Sequence, residues 1–262
     1  MLQMKPFEER TIDRQYHQLL EKIRRGKDVD TQQEQPARMI VGHQMRFDLR
    51  NGFPMVTERD ISELFTSAVA ELCAFLAGEH TQEALAARGC SWWKRWVTPE
   101  KCAKRGLPAG DLGPGSYGPA WRAFPTSAVP KRRKGWSIAG SYDIDAFEPG
   151  QPFDQITHLI EQIKELPHLR THIVTPFIPQ YLGRGEGKQQ KVVVVPCHGF
   201  LHFLVDTRKE EMTLHHFQRS ADTPCGLVFN MIQYAALLMI VAQVTDYTPT
   251  ELVYTISDAH IF

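Results

Sequence analysis

The sequence predicts a single α+β domain, and three observations predict it. Leu227 to Val244 is an apolar run interrupted only by Asn230, Gln233 and Gln243, which reads as a central buried helix. Around it, some segments carry apolar residues at helical spacing and others alternate as strands do. No repeat, low-complexity tract or linker divides the 262 residues, so these elements belong to one layered core.

Taken in order, Phe7 to Arg25 has Ile12, Tyr16, Leu19, Leu20 and Ile23 at helical spacing. Gly26 to Pro36 is polar and reads as a loop. Met39 to Val41 leads through Gly42 into an alternating strand, Met45 to Leu49, closed by the turn signal Asn51-Gly52. Ile61 to Leu76 is a helix with Asp60 near its start, and Thr81 to Arg88 is a shorter one. Phe153 to Leu166 is amphipathic and stops at Pro167. Leu169 to Val174 and Lys191 to Val195 read as strands, the second buried. Phe200–Val205 and Met212–Phe217 form an antiparallel pair, and Glu251 to Ile256 is the last strand.

Lys plus Arg and Asp plus Glu balance at 30 each, so charge gives no argument for a nucleic-acid or membrane-surface partner. The five cysteines are odd in number and form no CxxC pair, which argues against a disulfide framework or a zinc site. They fit free thiols in a reducing, cytoplasmic compartment. No secretory signal pattern opens the chain. The run from Leu227 has the length of a marginal membrane span, but its polar interruptions favour a protein core. Lys131 to Lys134 reads as a solvated basic loop.

Several residues could carry chemistry. Cys197 would be a soft nucleophile whose pKa a nearby cation lowers, or else a structural core cysteine. His198 beside it does not by itself prove a Cys-His dyad, because neighbours on a strand face opposite ways. Arg219 has the planar fork that holds phosphate or carboxylate. Asn230, in the first turn of the apolar helix, could read a base edge or close a helix-end hydrogen bond. Glu71 falls in the apolar part of its helix, where a carboxylate needs a partner or a job unless it turns to water. Trp92, Trp93 and Trp96 are too dense for one helix stripe, so at least one lines a surface or cleft unless all serve packing. Gly110 to Gly118 suits close backbone approach to a ligand but is weak alone.

Together the segments Gly42 to Phe47, Gly110 to Arg122, Pro196-Cys197-His198, Gln218 to Asp222, Gly226 to Asn230 and Asp258-Ala259-His260 resemble the folate-dependent thymidylate synthase family. The likeness spans nearly the whole chain in order. It implies a thymidylate synthase-like fold, a mixed twisted sheet packed with helices around the central helix. It implies conversion of dUMP to dTMP, with 5,10-methylenetetrahydrofolate supplying both carbon and hydride and no metal. By resemblance, Cys197 adds to C6 of the uracil, Glu71 works in proton transfer and Tyr117 in proton removal from C5. Arg219 and Ser220 match substrate ligands, Asn230 reads the base and His260 holds the sugar. Asp222 touches pyrimidine and folate, and Trp93, Trp96 and Gly226 match the folate site. The family's homodimer would lend Arg170 across the interface.

The chain departs from the family in places. Thr31 to Pro36 stands where the family has a phosphate-binding loop, and Arg38 is a candidate substitute. Arg59 replaces a lysine near the folate, Lys94 replaces an acidic residue, and Phe262 replaces a tyrosine. The reading is of residues 1–262 as one catalytic domain without the family's C-terminal tail. Two other functions remain open: a pyrimidine nucleotide 5-hydroxymethylase with the same thiol and folate, and a non-catalytic nucleotide-binding homologue.

Overall fold

A computed structural model describes residues 2–31, 35–126, 150–184 and 190–262. Lys131 to Lys134 lie outside them. Among the described residues six strands form one mixed sheet: β1 (Lys27–Val29), β2 (Ala37–Asp48), β3 (Ile173–Val174), β4 (Phe200–Asp206), β5 (Glu211–Asp222) and β6 (Thr248–Ile261). Their spatial order is β1-β2-β6-β5-β4-β3. Every pair is antiparallel except β5 and β6, which run parallel. A parallel pair needs a crossover, and the helix Val228–Val244 supplies it.

The helices are α1 (Gln15–Arg24), α2 (Ser62–Leu76), α3 (Gln82–Ala87), α4 (Pro99–Ala103), α5 (Tyr117–Arg122), α6 (Gln155–Glu165), α7 (Pro179–Leu182) and α8 (Val228–Val244). In α8, Val228, Met231, Ile232, Tyr234, Leu237, Leu238 and Val241 are all buried, which is why it is apolar nearly all round. With the π-turn before it, the helix is long and apolar enough to cross a membrane, yet 67% of its most apolar window lies inside the protein. Asn230 and Gln233 are buried on it too.

The alternation of the strands separates the sheet's faces. Met45, Phe47, Leu201, Phe203, Met212, Leu214, Leu252, Tyr254 and Ile256 point into the core with Leu72 and Phe75 of α2. Truncating a buried side chain of this size costs about 2–5 kcal/mol. On the other face Phe177, Phe200, His202, His215, Phe217 and Thr255 line an open apolar hollow.

The structure corrects several expected elements. Lys191–Val195 is not a strand. Its amides and carbonyls pair with α7 and the loop before α5 instead: Lys191 N–H donates to Tyr181 O at 3.0 Å, Val193 N–H to Leu112 O at 3.0 Å, and Lys191 O accepts from Gly115 N–H at 3.0 Å. Valine's preference for a pleated surface yields to these contacts, and Pro196 offers no N–H for a ladder. Of Leu169–Val174 only Ile173 and Val174 pair, at the sheet edge. The first α-helix begins at Gln15, leaving Phe7, in a short 3-10 turn (Phe7–Glu9), and Ile12 exposed ahead of it. Within the expected loop from Gly26, β1 pairs with β2. β6 runs past its apolar stretch through Ser257, Asp258 and His260 because β2 and β5 bond it on both sides. That extension carries polar side chains to the end of the sheet.

Candidate active site

Two loops and one arginine fix the thiol. Gly113 takes a φ of +95°, and a Cβ there would meet Lys191 O at 2.6 Å, so only glycine lets the α5 loop lie against the segment leading to Cys197. Tyr117 follows at the start of α5, and its hydroxyl accepts the Cys197 N–H at 2.8 Å. On the far side Gly199, also at φ +95°, turns the chain into β4 beneath Tyr234 and Trp121. Arg219 then closes the site from β5. Its Nε donates to Pro196 O at 2.7 Å, and its Nη2 to Val195 O at 3.1 Å and to Cys197 Sγ at 3.3 Å. Its own amide donates to Cys197 O at 2.8 Å.

Electrostatics at the sulfur are divided. Burial pushes the Cys197 thiol up, Arg219 pulls it down and Asp258 pushes it up again; the balance lies above the ordinary thiol value. The arginine makes a thiolate accessible without making it the resting form. Tyr117 is fully buried, which holds its phenol well above the usual value and keeps it protonated. It stacks on Phe75 at 4.7 Å and on His198 at 4.4 Å.

The parallel pairing sets the polar end of the sheet. Register places Ser220 opposite Asp258 and Asp222 opposite His260. Ser220 Oγ donates to Asp258 Oδ2 at 2.8 Å, and His260 Nδ1 lies 3.1 Å from Asp258 Oδ1. Burial raises the Asp258 carboxyl, but hydrogen bonds from His260 and Ser220 and the charge of Arg219 outweigh it and leave it below the usual range.

Beneath the thiol runs a continuous buried polar chain. Glu71 is 6% exposed, so it does not turn to water. Its Oε1 accepts from Trp92 Nε1 at 2.8 Å and from Trp93 Nε1, while Oε2 accepts from Gln233 Nε2. Burial raises its pKa against the opposing pull of those donors. Gln233 Oε1 accepts from Asn230 Nδ2 at 3.0 Å, and Asn230 Nδ2 also lies 3.1 Å from His198 Nε2. His198 Nδ1 meets Tyr234 Oη at 2.5 Å. Burial, with Arg219 nearby, lowers His198 to about 3, so the ring is neutral, and its two nitrogens are engaged by Tyr234 and Asn230. Gln218 Nε2 donates to Asn230 Oδ1 at 3.2 Å, and Tyr254 hydroxyl donates to Gln218 Oε1.

The remaining expected residues divide into wall and rim. Trp93 is buried with its N–H committed to Glu71, so it belongs to the wall. Trp96 is 40% exposed, flanked by Arg95 at 5.3 Å and Lys101 at 4.9 Å from its ring. Trp92 packs on Phe229 at 5.4 Å, and Arg59 covers Phe229 at 5.6 Å. Asp222 caps the start of the π-turn Thr223–Leu227 that precedes α8, and Gly226 lies within that turn. Arg170 is exposed beside β3, its carbonyl 3.1 Å from His202 Nε2. Arg38 is engaged by Asp28, Nε to Oδ1 at 2.8 Å, so it is committed at the surface rather than aimed at a ligand.

Sequence reasoning did not assign Gln233, Tyr234, Tyr254 or Trp92 to the site. The signal for Gln233 was present, as one of three polar breaks in an apolar helix. The two tyrosines carried no signal, because a buried tyrosine reads as core until its hydroxyl finds a partner.

The arrangement offers a cation-held thiol, a buried carboxyl raised in pKa and an oriented amide: a nucleophile, a proton carrier and a reader of a planar heterocycle. Residues 14–262 match the family model described as thymidylate synthase. The chain belongs to the thymidylate synthase family. A crystal structure of thymidylate synthase from T4 phage is similar to it with a TM-score of 0.75 and 28% sequence identity, over 95% of this chain and 77% of that one. The mixed sheet and central helix are thus those of a thymidylate synthase fold, and the chain falls among one-carbon transferases of nucleotide metabolism.

Proposed function

We propose that the protein converts dUMP to dTMP by reductive methylation at C5, with 5,10-methylenetetrahydrofolate as co-substrate. The observation that carries this reading is Arg219 Nη2 at 3.3 Å from Cys197 Sγ, with the same guanidinium pinning the two carbonyls before it. C5 of uracil is a poor nucleophile. When Sγ bonds to C6, the C5–C6 π pair moves toward C4–O4 and C5 becomes electron-rich. Arg219 eases loss of the thiol proton before that step.

The other residues divide the work. Asn230 reads the base edge. Glu71, protonated more readily than an exposed carboxyl, passes protons at O4. Tyr117 stays a neutral phenol and supports removal of the C5 proton as a hydrogen-bonding group rather than as a phenolate. Arg219 and Ser220 hold the phosphate, and His260 the sugar hydroxyl.

The folate supplies the one-carbon unit and the hydride. Its flat heterocycle fits the exposed Trp96 face, the Trp92–Phe229 pair and the turn at Asp222 and Gly226. Trp93 contributes through the wall by holding Glu71.

A second copy of the chain completes the site. The apolar hollow of Phe177, Phe200, Phe217 and their neighbours is a surface fit for a partner, and Arg170 stands at its border through His202. Arg170 of one copy then serves the phosphate of the other. Five free cysteines, one of them catalytic, suit a reducing cytoplasmic setting.

The deciding experiment is a mass-resolved product assay with dUMP, CMP and dCMP, each with methylenetetrahydrofolate. A 5-methyl product from dUMP supports the reading. A 5-hydroxymethyl product makes the protein a hydroxymethylase, and no product with tight nucleotide binding makes it a binding homologue.

A further inference from the structure

We propose that Gln233 is a specificity-determining, positioning residue: it locks the Asn230 amide so that the site takes a pyrimidine whose N3 is a donor. This rests on the reading that Asn230 faces the base. An asparagine amide can present either its oxygen or its nitrogen, and the two look alike in shape. The choice here is set by groups that cannot reverse. Gln233 Nε2 lies 3.2 Å from the Ala68 carbonyl, which can only accept. Gln233 must therefore turn its NH2 toward Ala68 and Glu71, and its oxygen toward Asn230. That oxygen accepts from Asn230 Nδ2 at 3.0 Å, so Asn230 has its NH2 on the Gln233 side.

The opposite side of Asn230 agrees. Gln218 Nε2 donates to the Ser220 carbonyl at 2.9 Å, which fixes Gln218 with its NH2 toward Asn230 Oδ1 at 3.2 Å. A flipped Asn230 would set oxygen against the Gln233 oxygen and nitrogen against the Gln218 nitrogen. All three amides are buried, at 8% exposure or less, where unpaired polar contacts are most costly.

Asn230 Nδ2 has Gln233 and His198 as partners, whereas Oδ1 keeps a second lone pair beyond the one Gln218 occupies, so the oxygen is the group left for a ligand. An ideal Cβ at Gly226 would lie 3.9 Å from that oxygen. Uracil offers an N3–H that this oxygen accepts; cytosine offers a bare N3 lone pair that it repels. Gln233 contacts no reacting atom. It acts through Asn230, and it does so by linking the base reader directly to Glu71.

The test measures Kd for dUMP and dCMP by calorimetry on the wild-type chain and on Gln233→Met and Gln233→Ser. A purely structural role would weaken both nucleotides alike and leave their ratio unchanged. Loss of the Gln233 contact leaves Asn230 held only by Gln218 and His198 and narrows the dUMP-over-dCMP preference by about tenfold or more. An unchanged ratio in a folded variant overturns the proposal. Should neither variant fold, wild-type binding of 3-methyl-dUMP, which lacks the N3–H, decides: a loss of about tenfold or more supports the lock, and binding equal to dUMP overturns it. A wild-type chain that binds no nucleotide at all overturns the underlying reading, and this inference with it.

Discussion

Glu71, Gln233, Asn230 and His198 are buried and bonded to one another, whereas Trp96 and Arg170 stand exposed at the margin. The floor of the site is finished by the chain itself. The rim is left for a ligand or a second copy to finish. A buried polar network must be fully satisfied to be tolerated, so the floor holds one geometry before substrate arrives. A rim residue meets no such demand, and its contribution is realised on binding. Lesions in the floor should therefore change chemistry and fold together, and lesions at the rim should change binding alone.

The largest expected effect falls on the thiol. Cys197→Ala should lower turnover by about 10⁴-fold or more, since the covalent route disappears. Its melting temperature should stay close to wild type, because Cys197 supplies only a small, half-buried side chain. Steady-state kinetics and a thermal melt on the same sample check both halves.

Acid should break the floor next. The unfolded chain takes a proton on His198 near its ordinary 6.5, whereas the folded chain refuses it until pH about 3. The unfolded state thus binds more protons in that window, and stability present above pH 6.5 is lost as pH falls through it. The loss should be on the order of a few kcal/mol. The lowered Asp258 carboxyl adds to it further down, while Glu71, raised by burial, opposes it by favouring the folded state at low pH. Urea midpoints at pH 7.5 and 5 provide the measurement, and a flat profile would break the claim of a neutral buried floor.

Arg219 joins floor and rim, so Arg219→Ala should show both signatures. The Val195 and Pro196 carbonyls lose a donor, costing about 1–3 kcal/mol. The thiol, released from the cation, moves further up. Iodoacetamide labelling of the Cys197 peptide, followed against pH, should then need a more alkaline medium than in wild type. The smallest effect belongs to the rim: Trp96→Ala should raise the folate KM by about tenfold with kcat and melting temperature nearly unchanged. An equal fall in kcat would move Trp96 from rim to floor.

The sequence made the two regions unequally legible, for a physical reason. Cys197, Arg219 and Ser220 lie in short segments whose local pattern survives folding, and the structure brings all three together at one end of the sheet. Asp258 and His260 were visible as a terminal pair, but their place beside Ser220 and Asp222 depends on the parallel register of β5 and β6, which no local pattern encodes. Lys191–Val195 looked like a strand because its valines are apolar, yet its backbone bonds were taken by Leu112 and Gly115 of the loop before α5 and by Tyr181 of α7. Trp93 and Trp96 look alike in sequence, and only packing sends one to Glu71 and the other to solvent. Gln233 stood out as a polar residue in an apolar helix, and Asn230 three residues before it shares that helix face; its other partners, Ala68 and Glu71, lie on α2 and could not be read from spacing.

The central claim is that Cys197 adds covalently to a pyrimidine nucleotide in a site that also admits the folate. Its most direct test is intact-mass analysis after incubation with 5-fluoro-dUMP and methylenetetrahydrofolate, followed by peptide mapping. The account predicts a single adduct on the Cys197 peptide that needs both ligands and is absent from Cys197→Ala. A folded wild-type chain that binds the fluorinated nucleotide yet never gains mass, or gains it at another cysteine, would contradict it.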